Sequence, residues 1–221
     1  METQKVYEKT LIKLDGVGTN NIALDKSRFV LTANEAQNKI IEYFLSNKTD
    51  ENLRYVQQVL VDRKISSQGV ENNLYTKIPL PEDYFDFSSA IGYGTKGSCR
   101  NKLINLFEIK DPNKDEILQD DFNKPSFLYR EAPFVVSQDK LKVYTMDEFI
   151  LDKVILNYYR YPIQIRQVDS EDPESPFDEG FQIEFDDKLV DRIISEIVSE
   201  IQLNTRESVF QQNKIRAQQK L

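Results

Sequence analysis

The hydrophobic period changes twice along this chain, and that change most limits the folds open to it. In the N-terminal third, Ala36, Ile40, Ile41, Phe44 and Leu45 recur at helical spacing, the pattern of a helix with one buried face. Thr32 or Asn34 can cap this segment, which predicts a helix from Ala33 to about Leu45. Thr49 and Asp50 open a second helical segment in which Leu53, Val56, Val59 and Leu60 line one face. Val6 to Leu14 alternates only in part and fits either a strand or a short helix.

From Leu74 the period shortens. LYTKIPLP reads as a strand stopped by Pro79 and Pro81, because the residue before a proline avoids the helical region. PEDYFDFSSAI then reads as a short helix, with Pro81 in its first turn and Glu82 and Asp83 at the positive end of its dipole. Lys102 to Ile109, Ala132 to Val136, Leu141 to Met146 and Ile150 to Arg160 are strand candidates. Asn113 to Asp120 fits one or two helical turns, and NKPS (123–126) fits a turn. The connections look too short for parallel crossovers, so the middle of the chain is expected to form a small antiparallel sheet.

A helical period returns at the end. Asp186 and Asp187 cap a long helix in which Leu189, Val190, Ile193, Ile194, Ile197, Val198 and Ile201 form a broad apolar stripe. Beyond Ile201 only Val209, Phe210 and Ile215 stand among glutamines and asparagines. A helix polar on most faces has no core of its own, so these last turns are expected to dock on another chain. The fold class expected is α+β: N-terminal helices, a small antiparallel sheet in the middle and a long C-terminal helix. The division expected is a mixed domain over 1–168, an acidic loop over 169–185, and a docking helix with basic tail over 186–221.

Composition narrows the chemistry. The 221 residues include no histidine, no tryptophan and one cysteine. A Ser-His-Asp or Cys-His triad and a His-ligated zinc or haem site are therefore excluded within one chain. One thiol makes no internal disulfide. No apolar run approaches the roughly 18 residues of a membrane span, and METQKVYEKT lacks a signal-peptide core, so a soluble, non-secreted protein is expected. The net charge of -8 is uneven: residues 1–168 carry -1, residues 169–200 carry -10 and residues 201–221 carry +3. A pI near 4.8 speaks against wrapping nucleic acid on a basic surface. The acidic block repels phosphate, while the basic end can seek anions or acidic partners.

Motifs that might carry chemistry read as structure. Gly92-Tyr93-Gly94-Thr95-Lys96-Gly97 matches G-x-G-x-x-G, but a helical stretch is expected before it and a strand after it, the reverse of a dinucleotide fingerprint. Lys96 also precedes the last glycine, so no Walker pattern exists, and a flexible turn is the better reading. Cys99 lies near Lys96 and Arg100 but has no histidine base, and reads as a structural thiol at a strand start. The pairs Glu82/Asp83, Asp120/Asp121, Asp147/Glu148, Glu171/Asp172, Asp178/Glu179 and Asp186/Asp187 lack calcium-loop spacing. Neither a catalytic residue, a metal nor a cofactor is expected.

Tyr158-Tyr159-Arg160-Tyr161 is the most unusual run. On a strand Tyr159 and Tyr161 face one side and Tyr158 and Arg160 the other. Tyrosine and arginine are enriched among interface anchors, and the run reads as sheet packing or as an interface, with nucleic acid a poorer fit.

The order of landmarks supplies a resemblance. LPEDYF (Leu80–Phe85) is followed by a turn to Cys99, then DDFNKPSFLYRE (Asp120–Glu131), KLKVYT (Lys140–Thr145) and VILNYYRYP (Val154–Pro162). An acidic loop and the long C-terminal helix follow. Over about residues 25–216 this order resembles the neck proteins of tailed bacteriophages, the head-to-tail connector or ring proteins, most closely those of crAss-like phages of gut Bacteroidales. The resemblance implies a non-enzymatic virion protein, made in the host cytoplasm and assembled as a ring, usually twelve-fold, between the capsid portal and the tail. Its partners would be the portal protein and adjacent neck or tail rings, with genome DNA a passing cargo and no membrane. The interface would include Tyr158, Tyr159, Arg160 and Tyr161, and on the C-terminal helix Val209, Phe210, Lys214, Ile215, Arg216 and Lys220. Glu171, Asp172, Glu174, Asp178 and Glu179 would face the channel. Rival readings are a hub or stopper of the same virion, or a hydrolase working through carboxylates and a metal, with Asp120 and Asp121 its candidates.

Overall fold

The structure, a computed structural model, describes residues 1–16, 24–67, 70–71, 74–166 and 181–218, without the side chains of 70, 71, 111 and 205–218. The chain divides into two compact units, one of Met1–Gln58 with Pro162–Leu221 and one of Val59–Tyr161. That partition replaces the expected mixed domain over 1–168: the sheet segment is inserted between two helical segments that belong together.

The first unit holds α1 (Thr3–Gly16), α2 (Lys26–Ser46), α3 (Asp50–Tyr55) and the C-terminal helix α5 (Asp187–Gln218). Residues 3–16 form a helix because Val6, Thr10 and Leu14 fall on one buried line, with the Thr10 hydroxyl donating to the Val6 carbonyl at 2.8 Å. Helix α2 begins at Lys26, about two turns earlier than the expected Ala33. Phe29 and Val30 extend its buried face backward, and the Asp25 carboxylate accepts from the Arg28 N–H at 2.7 Å. The two expected caps do other work: the Thr32 hydroxyl donates to the Arg28 carbonyl, and Asn34 bonds the main chain at Ile165.

Thr49 caps α3 as expected, but the helix stops at Tyr55. A single 3-10 turn over Gln57–Val59 follows, and Leu60 opens a strand where helix was expected. In α5 the Asp186 carboxylate accepts from the Leu189 N–H at 2.8 Å, and the stripe from Leu189 to Ile201 is buried throughout. Arg192 lies 5.5 Å over the ring of Phe44 and 5.2 Å over that of Tyr55, joining α5 to α2 and α3. The N-terminus is tied to the segment just before α5: Thr3 donates through both its N–H and its hydroxyl to the Phe181 carbonyl, and the Ile183 N–H donates to the Met1 carbonyl.

The second unit is an eight-stranded sheet. Its strands are β1 (Leu60–Ser66), β2 (Val70–Glu71), β3 (Tyr75–Pro79), β4 (Tyr84–Lys96), β5 (Cys99–Glu108), β6 (Glu131–Ser137), β7 (Lys140–Tyr144) and β8 (Ile150–Arg160). They are ordered β1-β8-β4-β5-β6-β7-β3-β2. All pairs are antiparallel except β5 with β6, which is parallel. The connection over 109–130 carries a 3-10 turn and the short helix α4 (Lys114–Gln119), and is long enough for the crossover that a parallel pair needs. One face buries Ile104, Leu106, Phe134, Leu141, Leu151 and Leu156 among others, and Phe127 and Phe149 add aromatic bulk.

The expected helix over PEDYFDFSSAI is strand instead. β4 pairs with both β5 and β8 and bends through register shifts at Tyr84/Asp86 and Phe87/Ser89. Pairing with β8 from Tyr84 onward, joined by β5 from Ala90, outweighs the local helix-start signals of Pro81, Glu82 and Asp83.

Candidate interaction surfaces

The tyrosine run alternates along β8, whose pairing with β1 is regular there, but Tyr158 and Tyr159 are both buried. Tyr158 is fully buried, with its hydroxyl donating to an Asp83 carboxylate oxygen at 2.8 Å and its ring stacked 5.8 Å from Tyr84. Burial first, and Asp83 second, push the Tyr158 phenol above its ordinary range. Tyr159 is buried as well, opposite Leu60 on β1 and Asp86 on β4. Both residues are core and are withdrawn from the expected interface. Arg160 is half-buried and donates to the Tyr161 carbonyl, while Tyr161 lies beyond the strand end, 44% exposed, with its ring edge-on to Phe85 at 4.7 Å.

The other expected sites fall differently. Val209, Phe210, Lys214, Ile215 and Arg216 lie on the α5 backbone, and their side chains are outside the description. Lys220 and the acidic Glu171, Asp172, Glu174, Asp178 and Glu179 lie outside the described residues.

The described carboxylate pairs have structural tasks. Asp120 accepts from the Phe122 N–H and from Asn123, bonds that hold its carboxyl below the usual range. Asp121 pairs with Lys124, Glu148 pairs with Lys96 at 2.7 Å, Asp83 receives Tyr158 and Asp186 caps α5. Among the described residues no group of three or more His, Cys, Asp or Glu side chains is placed to hold a metal ion, and no helix is long and apolar enough to cross a membrane.

The glycine run is not one flexible turn. Gly92 and Gly94 sit within β4, where a Cβ at Gly92 would stand 2.6 Å from the Leu151 side chain and one at Gly94 2.9 Å from Phe149. Only Gly97, at φ +57°, serves the turn to β5, and Cys99 opens that strand fully accessible. The segment before the run is strand, not helix.

Two features of the sheet unit carry surface chemistry that the sequence reading passed over. The first is the segment 120–131, where Phe122 is 91%, Leu128 73% and Tyr129 75% exposed. Three large apolar side chains in water are held there by a fixed main chain. Asn123 and Lys124 N–H groups donate to the Asp120 carbonyl, and Ser126 and Glu131 exchange a reciprocal pair of bonds. The Tyr129 N–H donates to the Ser126 hydroxyl, and Lys102 donates to the Phe127 carbonyl at 2.8 Å while capping the Phe127 ring. Phe127 is buried against Phe149 and anchors the whole segment. Composition was the one available signal, since four aromatic or aliphatic residues stand among turn formers.

The second feature is a cleft of about 620 Å³ between residues 63–66 of β1 and the connection 79–83. Its apolar lining is Ile65, Pro79, Leu80 and Pro81, and Arg63, Lys64, Glu82 and Asp83 line it as well. β1 is an edge strand, paired to β8 on one side only.

These features define an α+β chain of a helical unit and a mixed-sheet unit. No protein-family model matches the sequence, and no curated protein matches it.

Proposed function

We propose that this chain is a structural subunit of a tailed-phage neck, assembled as a ring, twelve-fold by the resemblance, that joins the portal to the tail around the DNA channel. The observation that supports this reading best is α5. It runs 32 residues without a proline or glycine; its stripe is buried from Leu189 to Ile201, and Leu203 is 59% exposed. Roughly 25 Å of helix, at about 1.5 Å per residue, follows Ile201. A rod of that length is a natural arm for the portal or an adjacent subunit, with Val209, Phe210 and Ile215 as its apolar anchors. The acidic stretch over 169–187, facing the channel, would keep DNA phosphates from sticking.

The test is sedimentation of the full chain, alone and with assembled portal. A saturating, ring-sized complex is expected. A chain ended after Thr205 keeps the stripe through Ile201 and is expected to stay folded but to lose portal binding and ring formation. Unimpaired assembly by that shortened chain, or indifference of the full chain to portal, overturns the reading.

A further inference from the structure

The segment 120–131 frames a pocket of about 470 Å³, lined by Asp121, Phe122, Lys124, Ser126, Tyr129 and Glu131. We infer that this pocket receives the guanidinium group of an arginine carried on another polypeptide chain. It shares no residue with the cleft beside β1, and its ligand is the same whether or not copies of this chain assemble as a ring.

The aromatic walls come first. Phe122 and Tyr129 are the two most exposed large apolar side chains among the described residues, and there neither ring stacks on another or lies under a cation. The face of an aromatic ring is the negative part of its quadrupole. An open face therefore attracts a cation within about 6 Å, arginine more often than lysine.

Charge selects the sign of the guest. Asp121 and Lys124 are paired with each other and cancel. Glu131 has no cation partner among the described residues, and its carboxylate leaves the lining one negative charge. Arg130, its neighbour in sequence, is not part of the lining, and the Lys102 ammonium is bonded to the Phe127 carbonyl. A carboxylate only accepts, and its two oxygens match the planar fork of a guanidinium. The Ser126 hydroxyl oxygen, already accepting from the Tyr129 N–H, keeps a lone pair for a second donor. A lysine ammonium is a point charge that neither stacks nor forks, so arginine is the better guest. Free arginine brings a carboxylate of its own, which Glu131 repels, whereas an arginine within a chain does not.

The frame is in place before the guest arrives. The Phe122 N–H donates to the Asp120 carboxylate at 3.0 Å, the Tyr129 N–H donates to the Ser126 hydroxyl at 3.1 Å, and Ser126 and Glu131 exchange main-chain bonds. Little main-chain ordering is then lost on binding. The volume lies within the range of about 300–1,000 Å³ typical of small-ligand sites, room for the side chain and bridging water.

The experiment is amide NMR of the full chain at low salt, titrated with Nα-acetyl-arginine amide. Saturable shifts are expected at amides over 121–131 and not elsewhere. The uncharged isostere Nα-acetyl-citrulline amide is expected to leave them in place, and free arginine to bind less tightly than the amide. Glu131→Gln and Tyr129→Ser, both at exposed positions, are each expected to weaken binding about two- to fivefold, with unchanged shifts in the rest of the sheet showing that the fold is intact. Lys124→Gln frees Asp121 and removes a repelling cation, and is expected to tighten binding about twofold. Absence of saturable shifts, equal binding of the citrulline amide, or undiminished affinity in both Glu131→Gln and Tyr129→Ser overturns the inference. Tighter binding of free arginine than of its amide overturns the assignment to an arginine within a chain.

Discussion

Asn34 on α2 and Ile165, 131 residues later, exchange two hydrogen bonds: the Asn34 amide donates to the Ile165 carbonyl at 3.0 Å, and the Ile165 N–H donates back to Asn34 Oδ1 at 2.9 Å. A side-chain amide here stands in for a strand partner and fixes the returning chain on the helical unit just after the sheet segment ends. Gln37 donates to the same Oδ1 at 3.2 Å. Asn34→Ala leaves both main-chain groups of Ile165 without this partner, which is expected to cost about 1–3 kcal/mol. The measurement is the urea midpoint followed by far-ultraviolet dichroism. An unchanged midpoint would mean that water replaces the side chain without loss.

Gly92 is a packing position. Its missing side chain makes room for Leu151, and Gly92→Ala is expected to cost about 1–3 kcal/mol through overpacking. Leu151→Ala alone leaves a cavity and is expected to cost about 2–5 kcal/mol. The double variant should cost clearly less than the two together, because each change relieves the other. Strict additivity in that cycle would show that the close approach carries no strain.

Arg192 lies over both Phe44 and Tyr55, whose rings are themselves stacked 5.3 Å apart. Arg192→Met keeps an apolar stem but removes the planar cation, and is expected to cost about 0.5–2 kcal/mol. Arg192→Lys should recover only part, since a point charge does not stack. Equal stability of all three chains would assign the contact to packing alone.

Local signals made much of this fold legible. The stripe from Leu189 to Ile201, the caps Thr49 and Asp186, and strands β3, β5, β6, β7 and β8 follow from spacing and breakers close in sequence. What escaped depends on distant partners. The stretch PEDYFDFSSAI opens on the helix-start signals Pro81, Glu82 and Asp83, and only the distant β8, joined by β5 from Ala90, makes it a strand. Tyr159 is buried although it stands on the face opposite Tyr158, and spacing alone does not tell which faces of a strand are covered. In the segment 120–131 nothing local decides that Phe127 turns inward while Phe122, Leu128 and Tyr129 stay out. That choice is made by Phe149 and Lys102, which receive Phe127.

Tyr84 gives the sheet unit an alkaline limit. Burial first, then the carboxylates of Asp86 and Glu108, push its phenol far above the ordinary value. In the unfolded chain a tyrosine titrates near pH 10. Above that pH the unfolded state gives up a proton that the folded state retains, so the stabilisation is complete below about pH 10 and is lost as pH rises further. Tyr158 is shifted in the same direction, with burial again the largest cause. The urea midpoint is therefore expected to fall steadily from pH 9.5 to 11.5, within roughly the range where free phenols ionise. Tyr84→Phe removes one phenol and leaves the stacking on Tyr158, so its midpoint should fall less steeply over the same range. Parallel slopes for the two chains would place the alkaline loss on other groups and show that Tyr84 ionises freely in the folded sheet.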